Sequence, residues 1–345
     1  MSVSSGLGGY KSILGGRLGI TKDNRLVVGG QVVGVEGQMG AGVPYFCDPA
    51  NGDNNLSGKT PGTAVASLVT ALGLTTAAQN DVVVLIGDGA TTGTARLTAT
   101  LDWAKNAVHL IGVGAGVLEN KRTRISHAAA AVTNLSPMIT VSAAGCLFAD
   151  FNAFQGTGES AKDEELMEVT GSRNYFVNVG LQGIAAAAGA ARAGSNDLLI
   201  TGGGENTWRN CLIGIETIQR SAANAVVRVR SLAQRNRFES CEFVMAASAT
   251  SPIFVDVDEQ NALNGSSLIF KDCFFRNLIN ITSAADPAVV CTYNSANVNG
   301  TIYFINCVMN ATKWAAAGAE VQIGSTSAAT IDGFDSGGTG NAADA

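Results

Sequence analysis

A short sequence pattern recurs six times between residues 148 and 307. Each copy has an aromatic residue, any residue, a small polar residue and then an apolar residue, which is cysteine in four copies. Successive copies are 28 to 34 residues apart, and such a period indicates a stacked structural repeat rather than a single globular core. The six copies are Phe148–Phe151, Phe176–Val179, Trp208–Cys211, Phe238–Cys241, Phe270–Cys273 and Phe304–Cys307.

The residue types between the copies predict β-strands. Short runs such as Ile253–Val257 and Ser267–Lys271 alternate apolar and polar residues, and glycine, asparagine and serine separate them. Such runs are typical of strands, whereas a helical repeat needs long Leu-, Lys- and Glu-rich stretches. A unit of about thirty residues holds three short strands with their turns. We therefore predict an all-β fold, a right-handed parallel β-helix of about seven to nine coils.

Stacking of the coils predicts where the recurring side chains lie. Neighbouring strands are about 4.8 Å apart, so equivalent side chains of successive coils lie directly over one another. We expect the aromatic residues, among them Phe238, Phe270 and Phe304, to form a buried internal stack. The Asp, Asn and Ser positions are expected to form a polar ladder that bonds turn backbone.

The cysteines are predicted to be free buried thiols. Four of the seven, Cys211, Cys241, Cys273 and Cys307, occupy the same position of the repeat. Their stacked Cβ atoms would be about 4.8 Å apart, wider than the roughly 3.5–4.5 Å of a disulfide. The chain has no Cys-x-x-Cys pair and only two histidines. We expect neither a metal site nor a cofactor.

Composition argues against two classes of partner. The formal net charge is −6 and only 14% of the residues are charged, so no basic surface for nucleic acid is expected. No apolar run approaches the roughly 20 residues of a membrane span, and the N-terminus has no charged-then-apolar leader. We expect no nucleic-acid partner and no membrane partner.

The segments 45–54 and 57–64 resemble the opening of pectate-lyase-like right-handed β-helix proteins. Tyr45-Phe46-Cys47 reads as a strand, Asp48 to Asp53 as an Asp- and Gly-containing turn, and Thr60 to Ala64 as a Thr-Pro-x-Thr-Ala step. The resemblance covers about residues 44 to 320 and implies the fold. It leaves activity open, because the family includes lyases, hydrolases and non-catalytic phage virion proteins.

Proteins of this kind place a capping helix after that step. The segment 63–72 predicts a short amphipathic helix that covers the open end of the first coil. Its apolar face is expected to contain Val65, Leu68, Val69 and Leu72.

The acidic residues offer the only candidate for catalysis. Strand alternation places Asp256 and Asp258 on one face, with Cα atoms roughly 6–7 Å apart, and inverting glycosidases hold their carboxyl groups about 6.5–9.5 Å apart. A solvated face or a loose cation site is the preferred interpretation. No Asn-Thr-Asp, Asp-Asp or Gly-His-Gly pattern of pectinases is present. A second acidic run, interpreted as a solvated loop, contains Glu159, Asp163, Glu164, Glu165 and Glu168.

The chain is predicted to have three parts: an extended glycine-rich attachment arm at 1–43, the β-helix at 44–335 and a flexible tail at 336–345. The arm has two strand-like pieces, at 26–28 and 31–33, and few apolar residues. Ordering its backbone costs about 1–2 kcal/mol per residue, so a partner surface must supply the difference. The predicted partner-binding residues are Lys11, Arg17, Lys22, Arg25, Leu26, Val27, Val28 and Val32.

These observations favour a non-enzymatic bacteriophage virion protein, a capsid decoration or cement protein that is assembled in the host cytoplasm. Its expected partner is the major capsid protein or another virion protein. The resemblance implies a homotrimer, since viral β-helices are often trimeric. The alternative is a polysaccharide-degrading lyase or hydrolase of the tailspike type that acts through Asp256 and Asp258.

Overall fold

The chain forms a right-handed parallel β-helix of about seven coils, as predicted. The computed structural model describes residues 42–114, 121–128, 135–156, 163–259, 262–278, 285–293 and 300–315, and the backbone of strands at 11–13, 18–20, 26–28, 31–32 and 321–324. Each coil contributes one strand to each of three parallel sheets, which we call face 1, face 2 and face 3 in the order the chain visits them. The predicted tail at 336–345 lies outside the described residues.

All strands of the three faces run parallel to their neighbours. The strands of face 1 are β5 (Pro44–Cys47), β6 (Val82–Ile86), β9 (His109–Val113), β12 (Leu147–Ala149), β15 (Tyr175–Val177), β18 (Thr207–Arg209), β21 (Asn236–Glu239), β24 (Ser266–Lys271), β27 (Gly300–Ile305) and β29 (Val321–Gly324). The strands of face 2 are β7 (Thr94–Leu97), β10 (Arg124–His127), β13 (Asn152–Phe154), β16 (Gly180–Gln182), β19 (Leu212–Arg220), β22 (Glu242–Ala247), β25 (Phe274–Asn277) and β28 (Val308–Met309). The strands of face 3 are β8 (Leu101–Trp103), β11 (Ile139–Val141), β14 (Glu165–Val169), β17 (Asn196–Thr201), β20 (Ala225–Arg230), β23 (Ile253–Val257) and β26 (Cys291–Tyr293).

The aromatic residues of the recurring pattern form a continuous stack inside face 1. Centroids of successive rings are 4.6–5.0 Å apart and the rings are within 4–14° of parallel. Phe238, Phe270 and Phe304 are fully buried, as predicted. Trp103 meets one end of the stack edge-on and Trp314 covers the other. Offset stacking of buried rings adds stability beyond the area that they bury.

The cysteines line the same interior and are all free and buried, as predicted. Each thiol of the repeat donates to the carbonyl of the aromatic residue one coil earlier. The Sγ of Cys241 is 3.5 Å from the oxygen of Trp208, and the Sγ of Cys307 is 3.5 Å from that of Phe270. Outside this series, burial first and Asp48 second raise the pKa of Cys47 to about 12. Such thiols act as small apolar side chains.

The polar position of the pattern forms the turn from face 1 to face 2. All six residues have φ between 51° and 60°, a left-handed conformation that Asn and Asp tolerate better than other residues. Within this ladder, side chains of successive coils form hydrogen bonds with one another. Asn178 Nδ2 donates to Asp150 Oδ1 over 2.7 Å, and Asn306 Nδ2 donates to Asp272 Oδ1 over 3.3 Å. The sequence predicted bonds to turn backbone instead.

A second ladder, which the sequence analysis did not predict, lies inside the turn that precedes face 1. It consists of the buried residues Asn174, Asn206 and Asn236. The backbone N–H of Asn174 donates to Asn206 Oδ1 over 2.9 Å, and that of Asn206 donates to Asn236 Oδ1 over 3.0 Å. These asparagines satisfy buried backbone groups that would otherwise have no partner. Each stands two residues before the aromatic residue, which is a signal that the sequence contained.

The predicted capping helix is present and begins later than expected. A 3₁₀ turn at Pro61–Thr63 precedes α1, which spans Leu68–Leu74. Ser67 is the N-cap of this helix, and its side chain accepts a hydrogen bond from the backbone N–H of Thr70 over 3.1 Å, as N-cap serines do. The buried face consists of Leu68, Ala71 and Leu72. Val69 is 59% exposed, so its predicted place on that face is wrong. The only other α-helix among the described residues is the single turn α2 (Ala187–Ala190).

The described residues of the arm include four short strands that pair with one another. They form an antiparallel sheet in the order β1-β2-β3-β4, separate from the three faces. The pieces predicted at 26–28 and 31–33 correspond to β3 and β4, whereas β1 and β2 were not predicted. The four strands are β1 (Lys11–Ile13), β2 (Leu18–Ile20), β3 (Leu26–Val28) and β4 (Gln31–Val32).

The aromatic stack yields a stability prediction. Phe270→Ala should lower the free energy of unfolding by about 3–5 kcal/mol, because it leaves a cavity between two stacked rings. Val69→Ala, at an exposed apolar position, should change it by about 0.5 kcal/mol or less. Chemical denaturation followed by circular dichroism measures both. Equal effects of the two substitutions would contradict the role of the stack.

Candidate functional site

The two candidate catalytic carboxylates lie on the outer side of face 3. Asp256 is in β23 and Asp258 follows it, and both contact arginines of the preceding coil. Arg228 Nε is 3.1 Å from Asp256 Oδ2, and Arg230 Nη2 is 2.9 Å from Asp258 Oδ2. Thr292 donates to the second oxygen of Asp256 over 2.6 Å, and Arg230 Nε donates to that of Asp258 over 2.9 Å. All four carboxylate oxygens therefore accept a hydrogen bond from the protein.

Arg228 shows that this arrangement is a structural network. Its side chain is only 5% exposed. Besides Asp256, it donates to the carbonyl of Gly194 over 2.7 Å and to that of Ala193 over 2.8 Å. Removing a partner of a buried guanidinium destabilises the fold, because the buried charge is then less well compensated. The acidic pair thus joins two coils through the arginines, and Arg228 also holds the loop that contains Ala193 and Gly194.

The second acidic run is not a solvated loop, which corrects the prediction. Glu165 and Glu168 belong to β14, and Asp163 pairs with Arg192 over 2.8 Å. Glu164 is fully buried. Glu159 lies outside the described residues. The prediction failed because the burial of these residues depends on the next coil, whose elements come about thirty residues later in the chain.

Glu164 belongs to a group of buried charges. Arg220 and Asp197 form a fully buried ion pair of 2.8 Å, and Asp197 also accepts two backbone N–H groups, from Gly183 over 2.7 Å and Ile184 over 2.9 Å. Neither carboxyl oxygen of Glu164 has a hydrogen-bond partner within the described part of the chain. Burial first and Asp197 second raise the pKa of Glu164 to about 8, against an opposing effect of Arg220.

Neither a metal centre nor a membrane span emerges from the described residues. No group of three or more His, Cys, Asp or Glu side chains among them could hold a metal ion. No helix among them is long and apolar enough to cross a membrane.

The predicted partner-binding residues are only partly described. Lys11 lies in β1, Leu26, Val27 and Val28 form β3, and Val32 lies in β4. Arg17, Lys22 and Arg25 lie outside the described residues.

A depression lies on face 2, where the sequence analysis predicted nothing. It is a cavity of about 580 Å³ over the first four strands of this face. A second cavity of about 360 Å³ shares Phe154 and Gln182 with it and extends toward Arg276. We call the first cavity the face-2 groove. Its polar and aromatic lining consists of Thr91, Thr94, Arg96, Arg124, Ser126, His127, Asn152, Phe154 and Gln182.

Strand register explains how distant residues meet in the face-2 groove. Arg124 pairs with Thr94 on one side and Asn152 on the other, and Ser126 pairs with Arg96 and Phe154. Residues two apart in a strand point to the same side, so two parallel rows of side chains project outward. The recurring pattern begins only at Phe148, so no repeat marked the strands that carry Arg96 and Arg124.

Structural comparison identifies the fold. A pectate lyase, Pel9A, superposes with a TM-score of 0.53 at 15% identity, over 81% of this chain and 72% of that one. The pectin methylesterase PemA from Erwinia chrysanthemi gives 0.54 at 14% identity, over 84% and 91%. This chain has their parallel β-helix fold. The ORF18 protein of Geobacillus virus E2 matches with a TM-score of 0.48 at 13% identity, over 74% of this chain and 48% of that one.

Sequence comparison adds no assignment. No protein-family model matches the chain, and no curated protein sequence matches it. The likeness to solved structures at 12–15% identity therefore shows the fold alone.

The pKa of Glu164 predicts a pH-dependent stability. Between its ordinary value of 4.5 and about 8, the folded chain keeps a proton that the unfolded chain has lost. The free energy of unfolding therefore falls as the pH rises through this window, by up to about 1.4 kcal/mol per pH unit from this group. Glu164→Gln, which stays neutral, should reduce the slope and be more stable than the parent at pH 8.

Denaturation at pH 5, 6.5 and 8 measures this dependence. The matched control is Glu168→Gln, because Glu168 is partly exposed in β14, the strand that follows Glu164, and it should keep the parental slope. A Glu164→Gln variant with an unchanged slope would show that the buried carboxyl does not titrate in this window.

Proposed function

We propose that the chain is a non-enzymatic structural protein of a bacteriophage particle, a decoration or cement protein that binds the capsid through residues 1–43. The observation that carries the proposal is the separate sheet of the arm. Its outer strands, β1 and β4, each have only one neighbour among the described residues. An unpaired strand edge is a template for adding a strand from a partner.

The charge of the arm also favours the arm as the surface that binds the capsid. The arm contains Lys11, Arg17, Lys22 and Arg25 against Asp23 and Glu36, whereas the whole chain has a formal net charge of −6. Complementary charge raises the rate of association and selects among partners. A negatively charged capsid surface is the partner that this asymmetry suits.

The β-helix supports a structural rather than a catalytic role. The only carboxylate pair that the sequence suggested for hydrolysis is held in a network of arginines on face 3. The aromatic stack runs continuously through six coils of the body. A decoration protein needs such a body together with an attachment segment.

Deletion of residues 1–43 should separate attachment from folding. The truncated chain should keep a β-type circular dichroism spectrum, because the coils pair only with one another among the described strands, and should no longer co-sediment with capsids that lack the protein. Replacing Lys11, Arg17, Lys22 and Arg25 by Gln should weaken co-sedimentation. Replacing Lys59 and Lys313, which are exposed outside the arm, should not. Co-sedimentation of the truncated chain at the full-length level would refute attachment through the arm.

The enzymatic alternative has its own test. Incubation of the full chain with bacterial surface polysaccharides and with pectate should release no reducing ends and no unsaturated products. If products appear, Asp258→Asn and the control Asp272→Asn, at an exposed turn position, decide their origin. Activity that Asp258→Asn abolishes and Asp272→Asn retains would establish the enzyme and overturn the structural role.

A further inference from the structure

The outer side of face 1 is apolar over its first coils. Successive residues of a strand point to opposite sides of the sheet, and Val83, Leu110 and Phe148 point into the core. Their neighbours in the same strands therefore point outward. These outward residues form a second apolar cluster, separate from the core, which we call the outer patch. It consists of Val82 in β6, Ile111 in β9, Leu147 and Ala149 in β12, and Val177 in β15.

The outer patch is buried, although it faces away from the core. Val82 is 3% exposed, Leu147 is 6% exposed and Val177 is 4% exposed. Ile269 and Tyr303 stand in the same outward row as Leu147, in later coils, and both are partly exposed. Neighbouring strands alone thus do not bury a large side chain on this side. The helix α1 is not the cover, because its buried residues belong to the inner core.

His109 gives a second sign of this cover. It pairs with Val82 in the outward row, and its Nδ1 accepts a hydrogen bond from the backbone N–H of Leu147 over 3.0 Å. Burial lowers the pKa of His109, as it does for an imidazole ring that is kept from water. Since the residues of the outer patch are buried within a single chain, the chain itself must supply the layer that covers them.

The sheet of the arm has the complementary property. Strand register places alternate residues of its strands on the same side. One face of the sheet contains Lys11, Ile13, Leu18, Ile20, Leu26, Val28 and Gln31, five of which are aliphatic. The opposite face contains Ser12, Gly19, Val27 and Val32. A small sheet with one apolar face is stable only when that face packs against another layer.

The arm joins the body beside the outer patch. The backbone N–H of Val43 donates to Asp81 Oδ1 over 2.7 Å, and the carbonyl of Val43 accepts from the backbone N–H of Val82 over 3.0 Å. The ten residues 33–42 connect β4 to this point, and ten extended residues span up to about 33–36 Å. The outer patch crosses four strands, or about 14 Å. The sheet of the arm, which also has four strands, can therefore reach the patch and cover it.

We propose that the sheet of the arm packs its aliphatic face on the outer patch of its own chain and forms a second layer over the first coils of face 1. Sheets that pack face to face lie about 10 Å apart. Packing through the face leaves the edges of β1 and β4 available to a partner. The proposal goes beyond attachment to a capsid and does not depend on it, because it concerns the free protein.

Hydrogen exchange of the free full chain, followed by mass spectrometry, tests the proposal from the side of the body. The backbone amides of the arm strands between 11 and 28 should be protected. Leu147→Asp places a charge in the outer patch and should raise their exchange rate about tenfold or more, because the sheet then loses its support. Ile269→Asp is the matched control, at a partly exposed position of the same outward row, and should leave the rate unchanged. Circular dichroism verifies that both variants are folded. Equal exchange rates in the parent and both variants would overturn the proposal.

A pair of substitutions in the arm tests the same contact without altering the body. Leu26→Ser and Val27→Ser change neighbouring residues of β3 that lie on opposite faces of the sheet. Leu26→Ser should uncover the outer patch and increase severalfold the fluorescence of a dye that binds exposed apolar surface, whereas Val27→Ser should not. Equal fluorescence of these two variants would overturn the proposal, even if Leu147→Asp fails to fold.

Sedimentation velocity distinguishes the arm of the same chain from the arm of a second copy. The Leu26→Ser variant should contain no fewer subunits than the parent chain, because the contact that it weakens lies within one chain. About fiftyfold dilution of the parent should likewise leave the protection of the arm amides unchanged, since a contact within one chain does not depend on concentration. A loss of subunits in Leu26→Ser, or a loss of protection on dilution, would assign the cover to a second copy and overturn the proposal.

Discussion

Direct stacking of equivalent side chains from coil to coil is the constraint on which the rest of the structure depends. Parallel strands about 4.8 Å apart place each residue over the residue of the same position one coil earlier. A position therefore tolerates only side chains that pack against their own kind or complement it. Aromatic rings meet this condition, with centroids 4.6–5.0 Å apart. Charged side chains meet it only where the sign alternates, since like charges opposite one another destabilise a sheet. Arg228 and Asp256 satisfy that requirement in neighbouring coils.

The same constraint explains which features the sequence could predict. A residue that stacks on its own kind must recur in every coil. Aromatic residues such as Phe238 and Phe270, and the cysteine series, therefore recur at a regular spacing in the sequence. The polar residues at the left-handed turn positions also recur, because few residues other than Asn and Asp adopt φ near 50–60°. The internal ladder of Asn174, Asn206 and Asn236 spans only three coils. A feature repeated three times gives a weaker period than one repeated six times.

Residues whose surroundings come from a different coil were less predictable. The sequence analysis placed Glu164 in a solvated loop because its neighbours in the chain are acidic. In the structure it is buried near Asp197 and Arg220. Val69 was assigned to the apolar face of the capping helix from spacing alone. The N-cap of the helix is Ser67. A helix that starts after this residue turns Ala71 rather than Val69 toward the first coil. The strands β1 and β2 of the arm have the sequences Lys-Ser-Ile and Leu-Gly-Ile, which lack the paired valines of Val27-Val28 and Val32-Val33 that marked the other two.

The outward positions of the coils need not repeat one residue type, and the candidate site lies among them. On face 3 the outward charges are neutralised between coils, and on the later part of face 2 Glu216 and Glu242 neutralise Arg276. Arg96 and Arg124 could have been compensated in the same way by a carboxylate one coil away, at no cost to the core. The described part of the chain instead surrounds them with Ser126 and Asn152, whose buried polar atoms lack partners. Unsatisfied groups lower the stability of a fold that is only marginally stable. The buried carboxyl of Glu164, which also lacks a hydrogen-bond partner in the described part of the chain, shows that this cost is not confined to face 2.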